Sequence, residues 1–260
     1  MSEFSQPEEQ RAISRVCVKA GQILLQHGAE SALVVDLTRR LGIALGIDSV
    51  ELSLSASSMV LTTLQNDHCI TTARRCPDRG INMQMVTEVQ RICISAEHGI
   101  LDRRGVMEKL DRLKPMRYNR WLVLIMIGLS CAAFSRIAGG DLAVMALTFC
   151  ASCCGMLVRQ ELAHRHFNPI VNFGVTAFVT TAVAAIGMRM NIGNEPFLVM
   201  ASSVLMLVPG VPLINAASDM VKGFINMGIA RWMMASLLTL STCLGIVLAM
   251  NLFDVWGWGA

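Results

Sequence analysis

The chain has 260 residues, a formal net charge of +3, a mean hydropathy of +0.52 and 53% hydrophobic residues. That is too apolar for an ordinary soluble protein; the small charge says little about partners, and with no clustered basic face no nucleic-acid partner is expected. Charge is also unevenly spread: residues 1–120 carry 16 Lys/Arg and 14 Asp/Glu, whereas residues 121–260 carry 6 and 5. The expectation is an α-helical membrane protein with an N-terminal cytoplasmic α+β domain, the domain over 1–116 and five transmembrane helices within 117–260. The first ten residues, MSEFSQPEEQ, are acidic and lack an apolar core, so no secretory signal peptide is expected. The nine cysteines show no framework spacing and read as reduced thiols of a cytoplasm-facing protein.

In the polar region, Pro7 suits a first helical turn. Ile13, Val16, Cys17, Ala20 and Leu24 then recur at helical spacing as far as Gly28. Leu33, Leu37, Leu41 and Ala44 mark a second helix that stops near Gly46. The period then changes to two, with Val50, Leu52 and Leu54 alternating with Glu51, Ser53 and Ser55 in a strand. Met59–Leu64 and Cys69–Arg74 read as two more strands turned at Asn66–Asp67. Helices from about Asn82 to Ser95 and from Asp102 to Leu113 complete an α+β domain with its own core. The SLSASS run (Ser53–Ser58) is not a nucleophile elbow, and His27, His68 and His98 have no metal-ligand spacing. Arg74, Arg75 and Arg79 read as solvated loop charges. No catalytic residues, metal site or cofactor are expected.

Five apolar runs reach or approach the length a spanning helix needs, at about 121–137, 142–158, 170–188, 197–214 and 232–253. Gly139–Gly140–Asp141 makes a tight turn between the first two. Residues 159–168 form a charged loop before Pro169 opens the third run. Trp121 and Trp232 sit at one predicted face, and Trp256 and Trp258 at the other, as an interfacial belt requires. Lys and Arg residues crowd one side, from Arg103 to Arg120 with Arg159, Arg165, Lys222 and Arg231; Arg136 and Arg189 lie on the other. The polar domain is therefore expected in the cytoplasm and the C-terminus outside. Arg136, Arg159 and Arg189 lie at predicted ends and read as snorkelling anchors. Asn168 and Asn172 could line a pore or cap a helix. Cys150, Cys153 and Cys154 read as small packing residues on an apolar helix.

One stretch, VPGVPLINAASDMVKGFINMGIARW (Val208–Trp232), stands out. Pro209 and Pro212 each remove a backbone donor, and Gly210 between them tolerates unusual angles, so the span is expected to bend or unwind. Asn215 and Asp219, four residues apart, would share one helical face. Broken helices followed by convergent polar groups are how many secondary transporters build a substrate or ion site. Pro209, Gly210, Pro212, Asn215 and Asp219 are thus the candidate substrate-path or coupling residues. The plainer alternative is a proline kink, with Asp219 a surface acid paired with Lys222. No G-x-x-x-x-G-K-[ST] loop is present, which argues against ATP-driven transport. The spans hold no paired acids, HExxH or Ser/His arrangement, so no enzyme is expected.

Leu207–Trp232 resembles the signature of the threonine/serine exporter (ThrE) family: the proline-glycine-proline break, the Asn and Asp that follow, and the Gly–x–x–Arg approach at Gly228 and Arg231. GQILLQHGAES (Gly21–Ser31) and ALGIDSVELS (Ala44–Ser53) resemble that family's cytoplasmic N-terminal domain. Family exporters are often single chains of about ten spans, so the resemblance implies a separate, smaller and very hydrophobic membrane subunit beside this five-span chain. It further implies export of a small carboxylate, succinate in split members, driven by an ion gradient across the bacterial inner membrane. The alternative function is a membrane-tethered sensor or scaffold acting through its cytoplasmic domain.

Overall fold

The computed structural model describes residues 6–255 and divides into two compact units: 1–116 with 211–232, and 117–210 with 233–260. Trp256, Trp258 and the first five residues, about which the sequence raised expectations, lie outside the described residues.

The first unit opens with α1 (Gln6–Gln26) and α2 (Ser31–Ala44). They pack on an antiparallel sheet of β1 (Ser49–Ser55), β2 (Ser58–Gln65) and β3 (His68–Arg75), in the order β1-β2-β3. Alternation on β2 sorts its faces: Met59, Leu61 and Thr63 are buried, while Val60 and Leu64 are exposed. The β2–β3 turn places both Asn66 (φ 47°) and Asp67 (φ 63°) in the left-handed region. That is the two-residue hairpin geometry whose twist matches the strands. Two further helices, α3 (Met83–Glu97) and α4 (Arg103–Arg112), are capped by Asn82 and Asp102, whose side chains accept from Met85 N and Gly105 N.

The core gathers Val16, Leu24, Val34, Leu37, Leu41, Val50, Leu61, Val89 and Val106 from both helical and strand elements. Polar pins fix α1 to the sheet: Gln10 Nε2 donates to Thr63 O (3.1 Å) and His68 O (2.9 Å), and Ser14 Oγ meets Thr63 Oγ1 at 2.7 Å. Burial pushes the Cys17 and Cys93 thiols up to about 12, so both are inert packing groups rather than nucleophiles.

The second unit contains α5 (Arg120–Ile137), α6 (Leu142–His164), α7 (Pro169–Arg189) and α8 (Pro196–Ser203). A single 3₁₀ turn (Leu205–Leu207) follows. α9 (Gly210–Val221) lies almost wholly in the first unit, and α10 (Ile225–Leu252) gives 225–232 to the first unit and the rest to the second. Among the described residues, four helices are long and apolar enough to cross a membrane, or five if the interrupted pair Pro196–Leu207 and Gly210–Val221 counts as one span. The chain is a mostly helical, multi-pass membrane protein with a small N-terminal sheet. Leu122, Ile125, Met126 and Leu129 on α5 and Leu237, Leu240, Leu244 and Leu248 on α10 are 40% or more exposed. Only lipid or another apolar protein surface can cover such rows.

Three expected boundaries shift. The charged loop predicted from Arg159 is helical through His164, because Gln160, Glu161, Leu162 and Ala163 are good helix formers and no breaker intervenes. The helix stops instead at His166 (φ 58°), where His166 N and Phe167 N close back on Ala163 O and Leu162 O. The run at 197–214 is not one helix but ends in the 3₁₀ turn before Val208–Pro209. The last helix begins at Ile225, seven residues before Trp232. On one loop level, Asp141 caps α6 through Val144 N and accepts from Asn194 N, while Asn194 donates to Gly139 O; this clasp joins the α5–α6 and α7–α8 connections.

Candidate functional site

The polar groups of residues 211–232 converge on the turn between α1 and α2, all within the first unit. That turn is a helix-terminating motif. Gly28 (φ 81°) donates to Leu25 O and Ala29 N to Leu24 O, so α1's last carbonyls are satisfied. Glu30 then stands at the N-cap of α2 without bonding the helix through its own side chain. The first amide of α2, Ser31 N, would be an orphan donor. Asp219, 188 residues away, fills the vacancy: Oδ1 accepts from Ser31 N at 2.9 Å and Oδ2 from Ser31 Oγ at 2.8 Å. A carboxylate on a helix N-terminus is favoured by both hydrogen bonding and the helix dipole.

Asp219 and Ser31 are both fully buried, and a buried charge needs a partner. Arg231 supplies it. Its Nη1 lies 2.9 Å from Asp219 Oδ2, and its Nη2 donates to Ala29 O at 2.7 Å. Nη1 makes no hydrogen bond, so the Asp219 contact is an ion pair held by charge alone. Arg231 reaches Asp219 because α9 and α10 pack closely. Gly223 (φ 87°) turns the chain, with Phe224 N closing on Asp219 O, and a Cβ on Gly228 would meet Ala216 O at 2.9 Å. Asn215 Nδ2 donates to Gly28 O at 2.9 Å. At the half-exposed rim, Glu30 Oε1 takes Lys222 Nζ and Ser218 Oγ, each at 2.5 Å. Lys222, then Ser218, hold the Glu30 carboxyl below its usual range.

Pro209 is buried in the coil between the 3₁₀ turn and α9. Gly210 is the first residue of α9 and Pro212 the third. Pro212's missing N–H therefore falls where a helix has no internal acceptor, so it disturbs α9 less than a mid-helix proline would. Asn215 and Asp219 do share a face, and it meets the α1–α2 turn. The alternative pairing of Asp219 with Lys222 is corrected: Asp219 pairs with Arg231 and Lys222 with Glu30. Sequence reasoning missed Ser31 and Glu30 as partners. The signal was present in two of the three stretches that carried the family resemblance, Gly21–Ser31 and Leu207–Trp232, which meet here.

In the second unit, Arg159 Nη1 donates to Met206 O at 2.9 Å and its guanidinium sits 4.8 Å from the Phe173 ring centroid. Asn172, 7% exposed, donates to Arg159 O and accepts from Thr176. Asn168 caps α7 through Ile170 N, and Arg136 donates to Gly140 O. Cys153 Sγ lies 3.8 Å from Leu124 O, while Cys150 and Cys154 are exposed. Among the described residues, no group of His, Cys, Asp or Glu is placed to hold a metal ion.

The family described as "Putative threonine/serine exporter" (ThrE) matches residues 15–253. This chain belongs to the threonine/serine exporter family. It is 52% identical over 254 residues to the "Probable succinate transporter subunit YjjP" of Escherichia coli strain K12, covering 97% of this chain and 99% of that one. The protein of the same description in Klebsiella aerogenes is 51% identical over 251 residues, covering 96% and 97%. A "Probable threonine/serine exporter" of Mycobacterium tuberculosis is 20% identical over 249 residues, 93% of this chain but 46% of that protein. No solved structure matches significantly.

The two ion pairs of this ThrE-family site differ in burial, and so in the expected effect of breaking them. Asp219→Asn should cost about 3 kcal/mol or more, because it leaves Arg231 inside without its counter-ion. Lys222→Gln should cost at most about 1 kcal/mol at the half-exposed rim. Thermal unfolding of the detergent-purified variants checks this; equal shifts would contradict the arrangement.

Glu30 gives a pH signature. Its folded pKa lies below the ordinary 4.5, so its stabilisation is fully present above that value and fades as pH falls through the lowered folded pKa. The melting-temperature advantage of the wild type over Glu30→Gln should therefore be constant at neutral pH and vanish under acid. An advantage that grows on acidification would reverse the sign.

Proposed function

We propose that the chain is the larger subunit of a secondary exporter of a small carboxylate, succinate, working with a smaller, very hydrophobic YjjB-like membrane subunit. The observation that carries this is the 52% identity, along nearly the whole of both chains, to a protein described as a succinate transporter subunit. The word "subunit" in that description supports the partner. The tuberculosis relative supports it independently, since the match accounts for less than half of a longer exporter. With no phosphate-binding loop in the sequence, an ion gradient is the natural energy source.

In this reading residues 1–116 form a cytoplasmic domain and 117–260 the membrane domain of a bacterial inner-membrane protein, with five spans and an external C-terminus. The Lys/Arg asymmetry supports that orientation. Pro209, Gly210 and Pro212 give the chain a joint beside the substrate path. Asn215 and Asp219 hold the segment after that joint to the α1–α2 turn, so their role is coupling rather than substrate contact. An ionised Asp219 would repel a dicarboxylate, and its oxygens are already engaged.

Efflux of labelled succinate from vesicles tests the assignment. Vesicles holding both subunits should release it down an imposed ion gradient, and vesicles holding either alone should not. Full efflux with this chain alone would remove the partner, and no efflux with both present would remove the function.

Orientation has its own test. A reporter fused after Ala260 should read as periplasmic and one fused after Lys114 as cytoplasmic; the same side for both would mean an even number of spans.

A further inference from the structure

In the second unit Arg117, Arg120, Arg136, Arg165 and Arg189 are exposed, and Arg159 alone of its arginines is partly buried. Arg159 forms no ion pair among the described residues, whereas Arg165 at the end of the same helix holds Glu161 at 2.8 Å. The other acids of the unit are distant. Asp141 lies at the opposite end of α6, and its bond with Asn194 N puts the neighbouring Glu195 there too. Ser241 of α10 donates to Ile170 O, at the end of α7 beside Arg159, so Asp254 lies about three turns further along α10. A partly buried guanidinium without a counter-ion is costly. Ionisable groups on spanning helices are kept mostly where function needs them.

Neighbouring elements fix the Arg159 side chain. Side chains on a helix lean toward its N-terminus, which carries Arg159 back over Gly155, one turn earlier on the same face. A Cβ on Gly155 would meet Met206 Cε at 2.7 Å, so that face of α6 lies against the 3₁₀ turn that ends α8. There Arg159 Nη1 donates to Met206 O at 2.9 Å, and the guanidinium carbon stands 4.8 Å from the Phe173 ring centroid. Asn172 Nδ2 donates to Arg159 O at 3.1 Å and ties the backbone at this point to α7.

Those contacts leave one edge of the guanidinium unused. Nε and Nη2 make no hydrogen bond among the described residues, and neither is fully buried. Stacking on a ring face leaves the edges of a guanidinium free. The edge formed by Nε and Nη2 takes a carboxylate through two parallel bonds. Arg40 shows that geometry in the first unit: its Nε and Nη2 donate to the two oxygens of Glu97, each at 2.6 Å. A neutral amide offers one oxygen and no charge, so it binds such an edge far more weakly. We propose that Arg159 binds one carboxylate of the transported substrate through Nε and Nη2, while Met206 O and the Phe173 ring hold the guanidinium in place. The proposal rests on the exporter reading and deepens it by assigning the receptor for one carboxylate.

The test is equilibrium dialysis of labelled succinate against the full chain in detergent, alone and with the smaller subunit. Wild type should bind saturably, with propionate competing and its uncharged counterpart propionamide not competing. Arg159→Lys keeps a charge and a donor for Met206 O but lacks the planar fork. It should melt as wild type does and raise the dissociation constant by about tenfold or more, the loss of one charge-assisted hydrogen bond. Arg159→Gln should weaken binding at least as much, and Arg136→Gln, at the opposite end of the unit, should leave it unchanged. Wild-type affinity in both Arg159 variants, equal competition by propionamide, or no saturable binding to wild type in either form overturns the site. Loss of the smaller subunit from purified Arg159→Lys would give the edge to a carboxylate of the partner, and competition by phosphatidylglycerol would give it to a lipid headgroup; either result overturns the proposal. Should Arg159→Gln fail to purify, Arg159→Lys decides. Arg159-dependent binding without efflux from two-subunit vesicles would overturn the exporter reading and leave the site standing; efflux unchanged in Arg159→Lys would do the reverse.

Discussion

A carboxylate with no exposed surface constrains everything around it, and Asp219 is that group here. Its charge must be matched, its oxygens must meet donors, and water can do neither. Three separate features answer the requirement. The Gly28 turn ends α1 so sharply that the first amide of α2 is presented as a donor. The Gly223 turn ends α9 and sends α10 back alongside it. Gly228 lets α10 approach the α9 backbone closely enough for Arg231 to reach both Asp219 and Ala29 O. A side chain at Gly228 would push Arg231 away, so a glycine that looks like a helix weakness is a condition of the ion pair.

The two units are held by different physics. The first unit has an aliphatic core of leucines and valines, with its charge clasp at the edge. In the second unit the helix contacts are made by small residues. Gly155, Gly174, Gly187 and Gly245 all sit where a Cβ would collide with a neighbouring helix. The buried hydroxyls mostly close on their own helix. Between helices in lipid, apolar side chains gain little from leaving one oily surface for another, so close backbone approach and packing carry the association. The same reasoning explains why the leucine rows of α5 and α10 face outward.

Much of the architecture was legible because local chemistry decides it. Asn66–Asp67 between alternating strands specifies the hairpin, Asn82 and Asp102 announce helix starts, and Pro169 opens α7. The apolar runs place the long helices to within a few residues, except where charged but helix-favouring residues prolong α6. The site was half legible. Proline, glycine and a four-residue Asn–Asp spacing marked the right segment, and helical periodicity put both side chains on one face. What periodicity cannot report is the identity of a surface 188 positions away. Read locally, Asp219 has Lys222 as its nearest cation. In the fold Lys222 stands in the turn that ends α9 and reaches outward to Glu30, while Arg231 comes back from the next helix.

The arginines set a condition on any carboxylate path. Arg136 is spent on Gly140 O, Arg159 on Met206 O and the Phe173 ring, and Arg231 on Ala29 O and Asp219. Each already satisfies a protein acceptor, and withdrawing one would strand that acceptor. Withdrawing Arg231 would also leave Asp219 buried without its charge partner, the most expensive of the three exchanges. Arg159 is the least committed, since a carbonyl and an aromatic face hold a guanidinium more weakly than a carboxylate does. A dicarboxylate carries two such groups, and one arginine answers only one of them. The second set of donors must come from elsewhere, which gives the proposed partner subunit a chemical task as well as a structural one.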